Sequence, residues 1–118
     1  MKKVKIGISG WLGRMGQELV KQTKLLQDVE FVGGFDLEDN KNFINKVFSE
    51  AHVVIDFSSP GAIKKNIEIA VKNKTALVIG TTGIKEKEIK IIKNASKKIP
   101  ILVSSNMSLG VNVLFNLV

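Results

Sequence analysis

Cysteine is missing from this chain, which excludes a disulfide framework and thiolate metal sites. Arginine occurs once, at Arg14, and histidine once, at His52. No apolar stretch approaches the roughly 20 residues that a membrane-spanning helix needs. The opening run Met1-Lys2-Lys3-Val4-Lys5 is broken by lysine at once and does not read as a signal-peptide core. The expected setting is the cytoplasm, with no membrane partner.

The charge that is present is of one kind. The net value is +7, carried almost wholly by lysine. Lys64, Lys65, Lys72, Lys85, Lys87, Lys90, Lys93, Lys97 and Lys98 fall on expected helix surfaces. They are not interleaved with aromatics, and the arginines that read base edges are lacking. A solvated lysine-rich face explains them, and no nucleic-acid partner is expected. His52 has no acidic or metal-ligand neighbour in sequence, so a structural role is expected for it and no metal site.

Apolar residues recur with two alternating periods. Val4, Ile6 and Ile8 alternate like a strand, and Met15, Leu19, Val20, Thr23 and Leu26 follow at helical spacing. Val29–Phe35 predicts a second strand, residues 37–49 a short helix and Val53–Phe57 a third strand. Ser59-Pro60 pairs a good N-cap with a residue suited to the first helical position. Ile63, Ile67, Ala70 and Val71 mark the helix that it opens. Ala76–Ile79 predicts a fourth strand, Ile89, Ile92, Ala95 and Ile99 a helix ended by Pro100, and Ile101–Val103 a fifth strand. Val111, Leu114, Phe115 and Val118 predict a last amphipathic helix, whose apolar end is expected to be covered by further chain or by another chain. The expected fold class is α/β, a Rossmann-type doubly wound parallel sheet in one domain over residues 1–118. In such sheets ligands bind at the carboxyl ends of the strands.

The first strand runs into Gly10-Trp11-Leu12-Gly13-Arg14-Met15-Gly16. A dinucleotide pyrophosphate needs backbone N–H groups at a helix start, reached without obstruction by side chains. Gly10 suits the tight turn, Gly13 the approach to phosphate and Gly16 the close packing of helix on strand. Asp36 ends the second strand, and its carboxylate suits the hydroxyls of an adenosine ribose while repelling a 2′-phosphate. Leu37 follows it, with no arginine to hold that phosphate, which favours NADH over NADPH, although Lys41 is near enough in sequence to reach one. Three more strand ends are small and polar: Asp56–Pro60, Gly80–Gly83 and Ser104–Asn112.

Four of these segments, in order, resemble one family. Gly10–Gly16 is similar to the GxxGRMG loop of bacterial dihydrodipicolinate reductases, also called 4-hydroxy-tetrahydrodipicolinate reductases. Val54–Pro60 resembles their VIDFSxP segment, Val78–Gly83 their IGTTG segment and Asn106–Asn112 their N-F/M-S-x-G-V-N segment. The resemblance implies an oxidoreductase of the diaminopimelate route to lysine, using NADH or NADPH on a cyclic dicarboxylate in a homotetramer. It implies that Gly10, Trp11, Leu12, Gly13, Arg14 and Met15 bind the pyrophosphate and Asp36 the ribose. Gly80, Thr81 and Thr82 would meet the nicotinamide side, Ser104, Ser105, Asn106 and Met107 would complete the site, and Phe57 and Ser58 would line the cleft.

The family's second domain carries a His-His…Lys catalytic segment, a Lys-x-Asp-Ala-Pro-Ser-Gly-Thr substrate loop and the tetramer interface. None of those motifs occurs in this chain. The expectation is therefore a cofactor-binding half with no catalytic residue of its own, inactive alone. The alternative is a non-catalytic NAD-binding module.

Overall fold

The two apolar periods become two kinds of element in a computed structural model, which describes residues 3–104. Strands β1 (Val4–Ser9), β2 (Val29–Phe35), β3 (Val53–Asp56), β4 (Ala76–Ile79) and β5 (Ile101–Val103) alternate with four helices. These are α1 (Arg14–Lys24), α2 (Lys41–Glu50), α3 (Pro60–Asn73) and α4 (Glu86–Ala95). The final amphipathic helix expected after residue 110 lies outside the described residues.

All five strands are parallel, in the order β2-β1-β3-β4-β5. The chain steps from β1 to β2, then turns back past β1 to β3. Right-handed crossovers in opposite directions put their helices on opposite faces. Accordingly α1 packs Leu19 and Val20 with Ile6, Ile8 and Ile55 on one face, while α2, α3 and α4 share the other core with Val54, Leu77 and Ile79. Within that second core Phe35 and Phe48 meet at 5.4 Å between ring centroids. The reversal makes β1 and β3 neighbours whose following loops leave toward opposite faces. That divergence opens a crevice at the sheet's carboxyl edge.

Several local expectations shift, beginning with β3, which ends at Asp56 short of Phe57, and α4, which ends at Ala95 before Ile99 and Pro100. Helix α1 buries Gly16, Leu19, Val20 and Thr23, whereas Met15 is half exposed and Leu26 lies beyond the helix end. Gly16 takes the inner face because a Cβ there would stand 2.6 Å from the Gly10 carbonyl oxygen. Helix α2 begins at Lys41, not 37, because Asp36 to Asp39 form a turn closed by the Asp39 N–H on the Asp36 carbonyl at 3.0 Å. Ser59 is the N-cap of α3, yet its hydroxyl makes no cap bond. The Ala62 N–H that it would accept already donates to the Ser59 carbonyl at 2.9 Å.

Candidate functional site at the carboxyl edge of the sheet

Four of the five strand ends are tied to a neighbouring strand by the first amide beyond them. Gly10 N–H donates to Phe35 carbonyl at 2.8 Å, and Phe57 N–H to Ser9 carbonyl at 2.9 Å. Gly80 N–H donates to Asp56 carbonyl and Ser104 N–H to Ile79 carbonyl, both at 2.9 Å. This row of bonds brings the glycine loop, Asp36, Phe57-Ser58, Gly80–Thr82 and Ser104 onto one edge. Ser105, Asn106 and Met107 lie outside the described residues.

The glycine loop is shaped by what a side chain would strike. Gly10 has φ +76, the left-handed region, and a Cβ on it would lie 3.0 Å from the Ser58 backbone nitrogen. Gly16 would strike the backbone of Gly10 and Trp11. Gly13, by contrast, faces open space beyond a 3.5 Å contact with the Gly10 carbonyl. Gln17 braces the loop from α1, its amide donating to the Trp11 carbonyl at 2.8 Å. The Trp11 indole lies over Gly34 of β2, where a Cβ would fall 2.3 Å from the ring, and it meets Phe31 at 6.4 Å between centroids. Leu12, Gly13, Arg14 and Met15 are exposed.

All four helices start on this edge, and two of them start incomplete. The side chain of Asn40 caps α2 by accepting from Asn42 N–H at 2.7 Å. In α4 the Glu88 carboxylate accepts from Lys85 N–H at 3.1 Å, and Glu86 adds a second acid to the first turn. Helices α1 and α3 have no side-chain cap and no acidic residue in the first turn. They flank the β1/β3 crevice. The free N–H groups of α1 suit an anion, as do the positive dipole ends of both helices; at α3, Pro60 has no N–H and the Ala62 N–H is already taken by the Ser59 carbonyl. An open Gly13 and a sterically closed Gly16 fit a pyrophosphate resting on the start of α1.

Asp36 is partly buried at the end of β2. Burial pushes its carboxyl above the ordinary 3.8, and Asp39 and Glu38 push it further by repulsion. Its own N–H donates to the Asp39 carboxylate at 2.9 Å. Thr81 is buried with its hydroxyl on the Asp56 carbonyl at 3.3 Å, so its side chain faces inward and Thr82 is the exposed member of that loop. His52 lies at the opposite edge of the sheet, its Nδ1 accepting from Lys5 N–H at 2.9 Å, a structural role. Among the described residues no group of three His, Cys, Asp or Glu side chains comes together to hold a metal, and no helix is long and apolar enough to cross a membrane.

Beneath the crevice lie Ser9, Asp56 and Asn66, each at most 3% exposed; sequence reasoning passed over Ser9 and Asn66, and marked Asp56 only as the start of a polar strand end. Asn66 carried a signal. It stands at i+3 from Ile63 and beside Ile67, inside the apolar stripe of α3, where only a bonded amide is tolerated.

Known proteins give the frame for this geometry. The family described as dihydrodipicolinate reductase, N-terminus, matches residues 4–107. The 4-hydroxy-tetrahydrodipicolinate reductase of Pelagibacter ubique is 42% identical over 99% of this chain and 49% of its own length. That of Rickettsia akari is 39% identical over 94% of this chain and 45% of its own. The chain thus spans about half the length of these relatives. A dihydrodipicolinate reductase from Paenisporosarcina sp. TG-14, solved with dipicolinate bound, superposes with a TM-score of 0.74 over 91% of this chain and 49% of that one. At 18% identity that likeness is one of fold. With a family match across nearly all of its described residues, this chain belongs to the dihydrodipicolinate reductase N-terminal family.

Proposed function

We propose that residues 1–118 are the dinucleotide-binding domain of a 4-hydroxy-tetrahydrodipicolinate reductase, an NAD(P)H-dependent oxidoreductase of lysine synthesis in the cytoplasm. The observation that carries this reading is the pair of uncapped, acid-free starts of α1 and α3, set either side of the β1/β3 crevice beside the glycine loop. Gly10, Trp11, Leu12, Gly13, Arg14 and Met15 hold the pyrophosphate, mainly through backbone N–H groups. Asp36 accepts from the adenosine ribose. Phe57 and Ser58 form one wall. Gly80 and Thr82 face the nicotinamide side, with Thr81 supporting them from below, and Ser104, Ser105, Asn106 and Met107 complete it. When bound, the reduced nicotinamide supplies a hydride; this chain binds it, orients it and holds its phosphates. The dicarboxylate substrate, the proton donor and the homotetramer contacts belong to residues that this chain does not carry.

The acidic turn Asp36–Asp39 selects NADH. The turn carries three carboxylates, Asp36, Glu38 and Asp39, which would repel a 2′-phosphate, and Lys41 is the nearest cation after them in sequence. The test is titration of the chain with NADH and NADPH, followed by emission of Trp11, the single tryptophan. Saturable binding with NADH ahead of NADPH is expected, with no reductase turnover. Absence of saturable binding by either cofactor would remove the reading, and turnover by the purified chain would remove its second half.

A further inference from the structure

The crevice has a polar floor that no role assigned above accounts for. Ser9 and Asp56 are register partners at the last positions of β1 and β3. Both are 1% exposed, and Asn66 on α3 is 3% exposed. The Asn66 amide donates to Ser9 Oγ at 3.0 Å and to Asp56 Oδ2 at 3.1 Å. The other carboxylate oxygen of Asp56 accepts from the Ser58 N–H at 2.8 Å and from the Ser58 hydroxyl. The Asp56 carbonyl takes Gly80 N–H and the Thr81 hydroxyl. One residue therefore touches the Phe57-Ser58 segment, the Gly80–Thr82 segment and helix α3. Among the described residues no lysine or arginine pairs with the Asp56 carboxylate; an amide, a backbone N–H and a hydroxyl satisfy it.

Placement makes the cluster more than packing. Ser58 nitrogen is the atom against which Gly10 closes, 3.0 Å from where a Cβ would stand. Moving Ser58 moves the wall of the glycine loop. A buried carboxylate without a cation is costly unless every acceptor is used. An apolar side chain of the same branched shape would occupy the site but deprive the Ser58 N–H, the Ser58 hydroxyl and the Asn66 amide of this acceptor, leaving only the Asn66 bond to Ser9.

We propose that Asp56, bridged by Asn66 to Ser9, is a positioning residue that fixes the Phe57-Ser58 segment against Gly10 and so sets the width of the dinucleotide crevice. This rests on the cofactor reading above for its effect on binding, though not for its effect on the loop. The device acts at the switch point, where the sheet ladder ends and the loops diverge. There, ladder bonds hold only the first amide of each loop, and a side chain must hold the next.

Two variants with the same branched heavy-atom skeleton test it. Asp56→Leu removes both acceptor oxygens. Asp56→Asn keeps one for Ser58, and the Asn66 amide can turn to accept from the new one. Thr75→Val, which removes a buried hydroxyl bonded to Phe48 carbonyl at 2.7 Å at the far edge, controls for general loss of stability. Two readouts are taken on the 118-residue chain: amide hydrogen exchange at Gly10 and Phe57 without cofactor, and NADH affinity from Trp11 emission. Neither amide bonds to the Asp56 side chain, so faster exchange there reports displacement of the loop. Asp56→Leu is expected to speed exchange at both amides and weaken NADH at least about tenfold, the value of one charge-assisted bond. Asp56→Asn is expected to stay within about threefold of wild type. Unchanged exchange in Asp56→Leu, an Asn variant as impaired as the Leu variant, or equal loss in Thr75→Val would overturn the proposal. Should Asp56→Leu not fold, Asn66→Leu, which removes the bridge, is read the same way. If the wild type binds no NADH, the cofactor reading fails, and exchange at Gly10 and Phe57 alone decides the positioning role.

Discussion

Helices α2 and α4 begin as isolated helices should, and α1 and α3 do not. Asn40 and Glu88 answer the free N–H groups of the first pair. The second pair, at the same edge of the same sheet, has neither cap nor acid. A missing cap costs about 1 kcal/mol, a notable fraction of a small domain's stability. Two omissions at adjacent starts, both at the point where the strand order reverses, are thus consistent with a ligand completing those helices. The contrast can be broken at either pair.

The largest effect is expected at Gly16, where the crevice depends on the absence of a single carbon. Gly16→Ala drives a methyl into the Gly10 carbonyl oxygen and the Trp11 Cα, each 2.6 Å away, and both are backbone atoms of the loop itself. Overpacking of this kind costs about 1–3 kcal/mol, and here it displaces the phosphate cradle directly. Loss of measurable NADH binding together with a lower melting temperature is expected. Binding retained at wild-type strength would show that the loop does not rest on the start of α1.

Next comes the charge left out of α1. Met15 is half exposed in the first turn, so Met15→Glu can be accommodated without repacking. A carboxylate at a helix start stabilises it by about 0.3–1 kcal/mol. At an anion site it repels the ligand instead. The melting temperature should hold or rise, while NADH affinity falls about tenfold relative to Met15→Gln, the neutral control for the lost thioether. Equal affinity in the two variants would sever the uncapped helix from phosphate binding.

Asp36 sharpens the comparison from the ribose side. Its acid form is favoured in the fold by burial first, then by Asp39 and Glu38. A carboxyl raised in the folded state costs stability while ionised. That cost is lifted as pH falls through its raised value, and nothing further is gained below the ordinary 3.8. Cofactor binding runs the other way, because the ribose hydroxyls need the ionised acceptor. NADH affinity should therefore decline on acidification before an ordinary aspartate would titrate. Asp36→Asn should be the more stable protein at neutral pH and the weaker binder, with that pH dependence gone. A pH dependence that survives in Asp36→Asn assigns it to another group.

The sequence carried the framework with little loss. Val29–Phe35, Ala76–Ile79 and Ile101–Val103 are strands with the bounds expected from their apolar runs. The glycine loop was legible because each glycine has a steric reason that pattern alone can suggest. What pattern could not convey was pairing across long separations. Ser9, Asp56 and Asn66 lie 10 to 57 positions apart and meet only because the chain turns back from β2 past β1 to β3. Local rules also failed where one backbone group has two suitors. Ser59 has the right chemistry for a cap, but the Ala62 N–H turns to a carbonyl. His52, solitary in sequence, finds its partner on the neighbouring strand.

The smallest expected effect is the one that isolates capping from binding. Asn40→Ala removes the side chain that accepts from Asn42 N–H, at a helix start away from the β1/β3 crevice. It should cost about 1 kcal/mol, a fall of roughly 4–8 °C in a domain of this size, with NADH affinity unchanged. Ser59→Ala touches the start of α3, where the hydroxyl caps nothing, and should move stability by less than about 0.5 kcal/mol. Two N-cap residues of good capping chemistry, Asn40 and Ser59, would then differ in stability for a reason visible in their hydrogen bonds. The difference should vanish if α3 were capped in solution. A fall for Ser59→Ala as large as that for Asn40→Ala would thus mean that both helix starts are complete without ligand, and that α1 alone carries the anion site.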